Sequence, residues 1–204
     1  MPRIDVFTGG FTQTNGYVIH GPDGPVMIDA PEGAAAWLAR ERIEPVAVLL
    51  THQHFDHVVD AAALHARGCR LHAFQPYATS LTLEDAARDW GLPIVVAPFQ
   101  IDEVLADRPT LEVAGLTFGL AHVPGHSPDS DTFHLPDHRL VFCGDTLFAG
   151  SIGRTDLPGH GNHRLLLQGI ARHLLSLPDS TRLYPGHGPA TKVGTERVSN
   201  PFLT

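Results

Sequence analysis

Lysine is nearly absent. Lys192 is the only one in 204 residues, and lysine plus arginine number 14 against 22 acidic residues, for a formal net charge of −8 with the histidines neutral. The arginines are scattered along the chain. This argues against nucleic acid as a partner, since a phosphate backbone is neutralised by clustered Lys and Arg. Cysteine is scarce too: Cys69 and Cys143 lie far apart and form no C-x-x-C. A disulfide framework is therefore not expected. A reducing compartment is the default, and both thiols read as small buried core residues. The opening MPRIDVFTGG has no basic stretch leading into an apolar one, and apolar runs such as Val46–Leu50 fall far short of the ~20 residues of a membrane span. The expectation is a cytoplasmic protein with no membrane partner. With no linker, charge run or low-complexity stretch, residues 1–204 read as a single domain.

What is present is a mixture of strands and helices throughout. Ile4–Phe7, Tyr17–His20 and Val26–Asp29 are β-rich runs separated by turn residues. Ala34–Arg42 has helical composition, Val46–Thr51 suits a strand buried on both faces, and Val58–Arg67 predicts a helix stopped by Gly68. Arg70–Phe74 returns as a strand, and 82–89 suits a short helix. Ala114-Gly115 and Pro136-Asp137-His138 each join two apolar runs as hairpins. Asn162 caps a helix to Ser176 with Leu165, Leu166, Ile170, Leu174 and Leu177 on one face. Arg182–Tyr184 reads as the final strand and 194–204 as irregular. Val26–Asp29 and Leu140–Asp145 echo one another, both apolar strands ending in aspartate, as two related half-domains would.

Five of the 14 histidines fall in three short motifs, each read at a strand end. The first is Thr51-His52-Gln53-His54-Phe55-Asp56-His57. On extended backbone His52 and His54 point the same way, and Asp56 and His57 fall where a helix begins. Four ligand-type side chains in six residues are costly to gather without a cation. The second and third are Pro124-Gly125-His126-Ser127 and Pro185-Gly186-His187-Gly188. In each, Pro fixes φ and Gly permits a tight turn that swings the imidazole inward. Between them Phe142-Cys143-Gly144 ends in Asp145, a carboxylate placed to bridge two ions at the ~3.5–4 Å spacing of two-metal hydrolases.

In this order the motifs resemble the metallo-β-lactamase superfamily over nearly the whole chain. The resemblance implies a four-layer αββα sandwich and two divalent metal ions, with zinc first and iron or manganese as alternatives. It implies His52, His54 and His126 on one ion, Asp56, His57 and His187 on the other, and Asp145 bridging, with Asp29 supporting the site from behind. Within the superfamily, Gly144–Pro158 and Tyr184–Gly188 followed by Asn200–Leu203 are similar to the glyoxalase II-type thioesterases and their short bacterial relatives. That implies a hydrolase cleaving hydroxyacyl thioesters such as S-D-lactoylglutathione, a small-molecule partner, with metal-activated water as nucleophile. Asp145 and Asp56 are the candidate catalytic carboxylates. Arg154 and Asp156 are expected as a buried pair steadying the metal loop, and His122 as a group behind the ligands.

The chain departs from that pattern in places. It ends too early for the C-terminal helical extension that grips glutathione in full-length glyoxalase II. Asp129 stands where Gly is usual, in a turn expected to be left-handed, a conformation aspartate tolerates. His160 stands where a small residue is usual and reads as an exposed loop histidine. A thiol of pKa about 8.5–9 leaves as thiolate, whereas an amide nitrogen must be protonated, so thioesters suit a site without a dedicated acid. The rivals on this fold are a mononuclear iron persulfide dioxygenase, using positions matching His52, His126 and Asp145, and a lactonase or β-lactam hydrolase.

Overall fold

The computed structural model describes residues 2–203. Six strands form the first sheet in chain order: β1 (Ile4–Gly9), β2 (Thr14–Gly21), β3 (Gly24–Ile28), β4 (Ala47–Leu49), β5 (Arg70–Ala73) and β6 (Glu103–Val104). The first three meander antiparallel, and β3 to β6 run parallel. The second sheet begins with the antiparallel strands β7 (Thr110–Val113), β8 (Leu116–His122), β9 (Asp131–Leu135) and β10 (Leu140–Gly144). A small hairpin of β11 (Leu147–Phe148) and β12 (Ser151–Ile152) follows. The chain then adds β13 (Arg182–Pro185) parallel to β10, and β14 (Thr191–Lys192) at the edge.

Period-2 alternation along these strands sorts the core into layers. Tyr17, Ile19, Val26, Ile28 and Leu49 face Phe118, Phe133, Leu140 and Phe142 between the sheets. Their neighbours Val18, Met27 and Val48 face the opposite way, against α1 (Ala34–Glu41) and α3 (Ala61–Ala66). Val141, Cys143 and Leu183 pack on α6 (His163–Gly169), its π-helical continuation Ile170–Leu174, and α7 (Val193–Ser199). The result is the four-layer αββα sandwich, with both cysteines buried and unpaired.

The echo between the two aspartate-ending strands has a structural counterpart. Each sheet switches from meander to parallel pairing at the strand in question, β3 beside β4 and β10 beside β13. Asp29 and Asp145 follow the first strand of each pair, while the His52 motif and His187 follow the second. Since β9 runs antiparallel to β10, the loop entering it, Pro124–Ser130, lies at the same edge. Five loops thus meet where the parallel strands end, the common position for sites in open α/β sheets.

Several local expectations change. The helix expected over Val58–Arg67 is two pieces, α2 (Phe55–Val58) and α3, because Asp60 leaves helical backbone (φ −92°, ψ 1°) and its N–H goes instead to the Ala30 carbonyl (3.0 Å). The 82–89 segment is likewise divided, into α4 (Thr79–Thr82) and α5 (Glu84–Asp89) around left-handed Leu83. Leu165, expected inward, is exposed. The tail expected to be irregular holds α7, and β14 rather than β13 is the final strand. Among the described residues no helix is long and apolar enough to cross a membrane.

Candidate metal centre

Seven side chains converge at the shared edge. His52, His54 and His126 form one group whose ligand-type atoms lie within 4.8 Å of one another; Asp56, His57 and His187 form another; and His52, His57 and Asp145 form a third that joins them. Asp145 Oδ1 is 3.3 Å from His57 Nε2, while its Oδ2 is 3.4 Å from His126 Nε2 and 3.3 Å from His187 Nε2. One carboxylate therefore faces both groups. Asp56 Oδ2 completes the second at 3.3 Å from His187 Nε2 and 3.7 Å from His57 Nε2.

These separations are too long for strong hydrogen bonds. They match the edge of a tetrahedron of donors about 2.0–2.1 Å from a central ion, roughly 3.3–3.4 Å. The Nε2 atoms of His52, His57 and His126, and Oδ1 of Asp145, are buried without a hydrogen-bond partner. Each such orphan costs about 1–3 kcal/mol if nothing satisfies it. Four orphans aimed at one small volume, all good donors to a borderline cation, fit divalent metal.

The outward nitrogens are held from behind, which sets ring orientation. Asp29, itself in left-handed backbone (φ 57°), accepts from His57 Nδ1 at 2.8 Å, from the Thr51 N–H at 2.7 Å and from the Thr51 hydroxyl. His52 Nδ1 meets that hydroxyl at 3.1 Å. His126 Nδ1 faces the Arg154 carbonyl at 3.0 Å, and His187 Nδ1 the Thr12 carbonyl at 3.1 Å. Glycine is required at two of these turns. A Cβ on Gly186 would collide with Asp145 Oδ1 and stand 2.6 Å from His57 Cε1; one on Gly125 (φ 132°) would stand 2.5 Å from the Asn162 carbonyl.

Charge divides the histidines. Burial holds His52, His54 and His126 below the ordinary imidazole value, so they are neutral and ready as ligands. Burial would lower His57 as well, but Asp145, Asp56 and Asp29 hold it well above. Burial likewise opposes His187, yet its bonds to Asp145 and Asp56 bring it to about 10. Asp145 is held well below the carboxylate range against its burial, chiefly by His57.

The supporting residues are not all where the sequence suggested. Arg154 and Asp156 do pair, at 2.8 and 3.0 Å, but both are exposed, so the expected buried pair is absent. What Arg154 presents to the site is its backbone carbonyl. His122 does not reach the ligands: it stacks on Phe74 (3.8 Å between centroids) and its Nε2 faces the Pro128 carbonyl at 2.8 Å. Asp129 is not in left-handed backbone; its buried carboxyl accepts from the Ser127 hydroxyl, and burial pushes it up to about 6. His160, read as a solvent-facing loop residue, has Nδ1 3.0 Å from His54 Nε2. No sequence signal marks Thr14 or Asn15. The Thr14 hydroxyl donates to Asp56 Oδ2 (2.7 Å), and the Asn15 amide donates to the Pro185 and Gly188 carbonyls around His187.

A four-layer sandwich with seven ligand-type side chains gathered at one edge is the architecture of a metal-binding protein, and similarity to known proteins agrees. The profile described as the Metallo-beta-lactamase superfamily matches residues 9–187, and the chain belongs to that superfamily of metal-dependent hydrolases. It is 35% identical to the hydroxyacylglutathione hydrolase GloC of Haemophilus influenzae, over 98% of each chain. Among solved structures it resembles the BLEG-1 B3 metallo-β-lactamase (37% identity, TM-score 0.88, 99% of this chain and 100% of that one). It also resembles TTHA1623 in a di-iron-bound form (39% identity, TM-score 0.82, 98% and 100%).

Proposed function

We propose that this protein is a two-metal thioester hydrolase of the glyoxalase II type. The observation that carries the reading is Asp145, whose carboxylate lies between the two donor groups, with Oδ2 3.4 Å from His126 Nε2 of one and 3.3 Å from His187 Nε2 of the other. A single-ion reaction such as persulfide dioxygenation would leave His54, Asp56, His57 and His187 without purpose, yet all four converge. Two divalent cations held by these residues would supply a water acidified toward neutral pH and Lewis acidity at the substrate carbonyl.

The chain's own contribution is positioning. Asp145 fixes the spacing of the two donor groups, and Thr14 holds the Asp56 carboxylate toward His187. Beside Asp56 opens a cleft of about 180 Å³ between Phe11, Phe55, Val59 and the Pro93–Val95 segment. Its walls suit an uncharged arm of the substrate. Among the described residues no lysine or arginine lines it, whereas the acidic Glu32 does. The carboxylates of glutathione thus gain no cationic partner there, so a high KM is expected for S-D-lactoylglutathione.

The resemblance to a protein named a metallo-β-lactamase favours one second reading, β-lactam opening. A thiolate leaves without being protonated whereas an amide nitrogen needs a proton first, which favours the thioester.

The test is hydrolysis of S-D-lactoylglutathione and of nitrocefin by zinc- and iron-loaded protein, with Asp145→Asn as control. Metal-dependent thioester turnover, reduced at least 10²-fold in the variant, is expected. Turnover of nitrocefin alone, or of neither substrate with two metals bound, overturns the thioesterase.

A further inference from the structure

Four of the five converging histidines share one arrangement: Nδ1 faces outward to a carboxylate, a carbonyl or a hydroxyl, and Nε2 faces the cluster. His54 is reversed. Its Nε2 faces outward, to Nδ1 of His160 at 3.0 Å, leaving its own Nδ1 for the cluster. Its partner is another imidazole, which can accept or donate depending on where its proton sits.

The far side of His160 decides that. His160 Nε2 lies 2.8 Å from the backbone carbonyl of Ser80, in α4. A carbonyl only accepts, so Nε2 carries the proton, and a ring holding that one proton has its lone pair on Nδ1. His160 Nδ1 must then accept from His54. The His54 proton sits on Nε2, and Nδ1 is left as the lone pair available to a cation. The His160 ring is held by a turn in which its N–H reaches the Leu157 carbonyl (3.2 Å) and Gly159 takes φ 73°.

We propose that His160 is the positioning residue for His54, fixing its tautomer and ring orientation through the chain Ser80 carbonyl, His160, His54. The inference rests on the metal centre, not on the substrate assigned to it. It also links α4, through the Ser80 carbonyl, to one donor group: the set His52, His54, His126 is the one His160 supports.

The test compares wild type, His160→Ala and His160→Gln as full chains. Glutamine can accept from His54 through its amide oxygen and donate to Ser80 through its amide nitrogen, so it keeps the relay without the ring. Zinc affinity is measured by competition with a chromophoric chelator. His160→Ala is expected to weaken one of two zinc ions by about 10–100-fold, leave the other within a few-fold, and be largely rescued by His160→Gln. In zinc-free protein, ¹⁵N spectra of the imidazoles are expected to show His54 protonated at Nε2 in wild type and His160→Gln, and a tautomer mixture in His160→Ala. Wild-type affinity for both ions in His160→Ala, no rescue by glutamine, or a His54 proton on Nδ1 in wild type overturns the proposal. None of these readouts uses turnover, so failure of the thioesterase reading leaves them intact.

Discussion

At the level of single residues, the two donor groups differ in their competition with protons. His52, His54 and His126 are held neutral by burial, so a cation entering among them displaces no proton near pH 7. His57 and His187 are held above their ordinary value by Asp145 and Asp56, so in metal-free protein they carry protons that a second cation must displace. Raising the pH removes that competition; lowering it strengthens it. The second equivalent of zinc is therefore expected to bind more weakly at pH 6 than at pH 8, with proton release that the first lacks. Calorimetry in buffers of different ionisation enthalpy measures this, and equal proton release for both equivalents would contradict it. A second contrast separates side chain from backbone. Asp29→Asn should weaken metal binding about 10–100-fold, because Asp29 orients both His57 and Thr51. Arg154→Ala should leave it within a few-fold, since only the Arg154 carbonyl meets His126. Metal content by mass spectrometry under native conditions distinguishes the two. The convergence of the seven ligand-type side chains was legible in the sequence because their motifs crowd such residues at strand ends, where a fold must bring them together. Thr14, Asn15 and His160 were not, since each acts across a long sequence separation through hydrogen bonds that no local motif marks. Arg154 and Asp156 misled because a charged pair two residues apart does not reveal which way it faces.

At the level of elements, strands and hairpins were easiest to read. Ala114 and Gly115 both take the left-handed backbone that a two-residue hairpin turn requires. Helix α7 was missed, because Val193–Ser199 is short and polar and is stabilised by tertiary bonds. Its Glu196, 1% exposed, accepts from the Gly150 N–H (2.8 Å), the Thr191 hydroxyl and the Asn200 amide (2.9 Å), and Asn200 also reaches the Ser151 carbonyl. The C-terminal segment is thereby fastened to the β11–β12 hairpin, whose Phe148 packs edge-on against His187 at 6.0 Å. Glu196→Ala removes the buried acceptor of three hydrogen bonds and is expected to cost about 2–4 kcal/mol. Thermal denaturation reads this as a drop of roughly 5–15 °C for a domain of this size. A change under 2 °C would mean that the hairpin and tail hold together without the carboxylate.

For the whole molecule, the metal centre bears on stability as well as chemistry. The chain closes two sheets around an edge where two carboxylates face five imidazoles and four donor atoms have no protein partner. Cations satisfy those atoms only in the folded state, because the donors come from four separate loops that the unfolded chain does not gather. Binding to the folded form alone adds about 2.7 kcal/mol for each ion held at a free concentration a hundred times its dissociation constant. At roughly 2–4 °C per kcal/mol for a chain of this length, two such ions raise the melting temperature by about 10–20 °C. Chelation should reverse that shift and zinc readdition restore it, while Asp145→Asn, which strips the residue facing both groups, should melt near the chelated wild type and respond weakly to zinc. A wild type whose melting temperature ignores chelator, with chelator shown to have removed the metal, would mean that the protonated His57 and His187 already balance the carboxylates. Stability would then come from the sandwich core alone, and the ions would serve only the reaction.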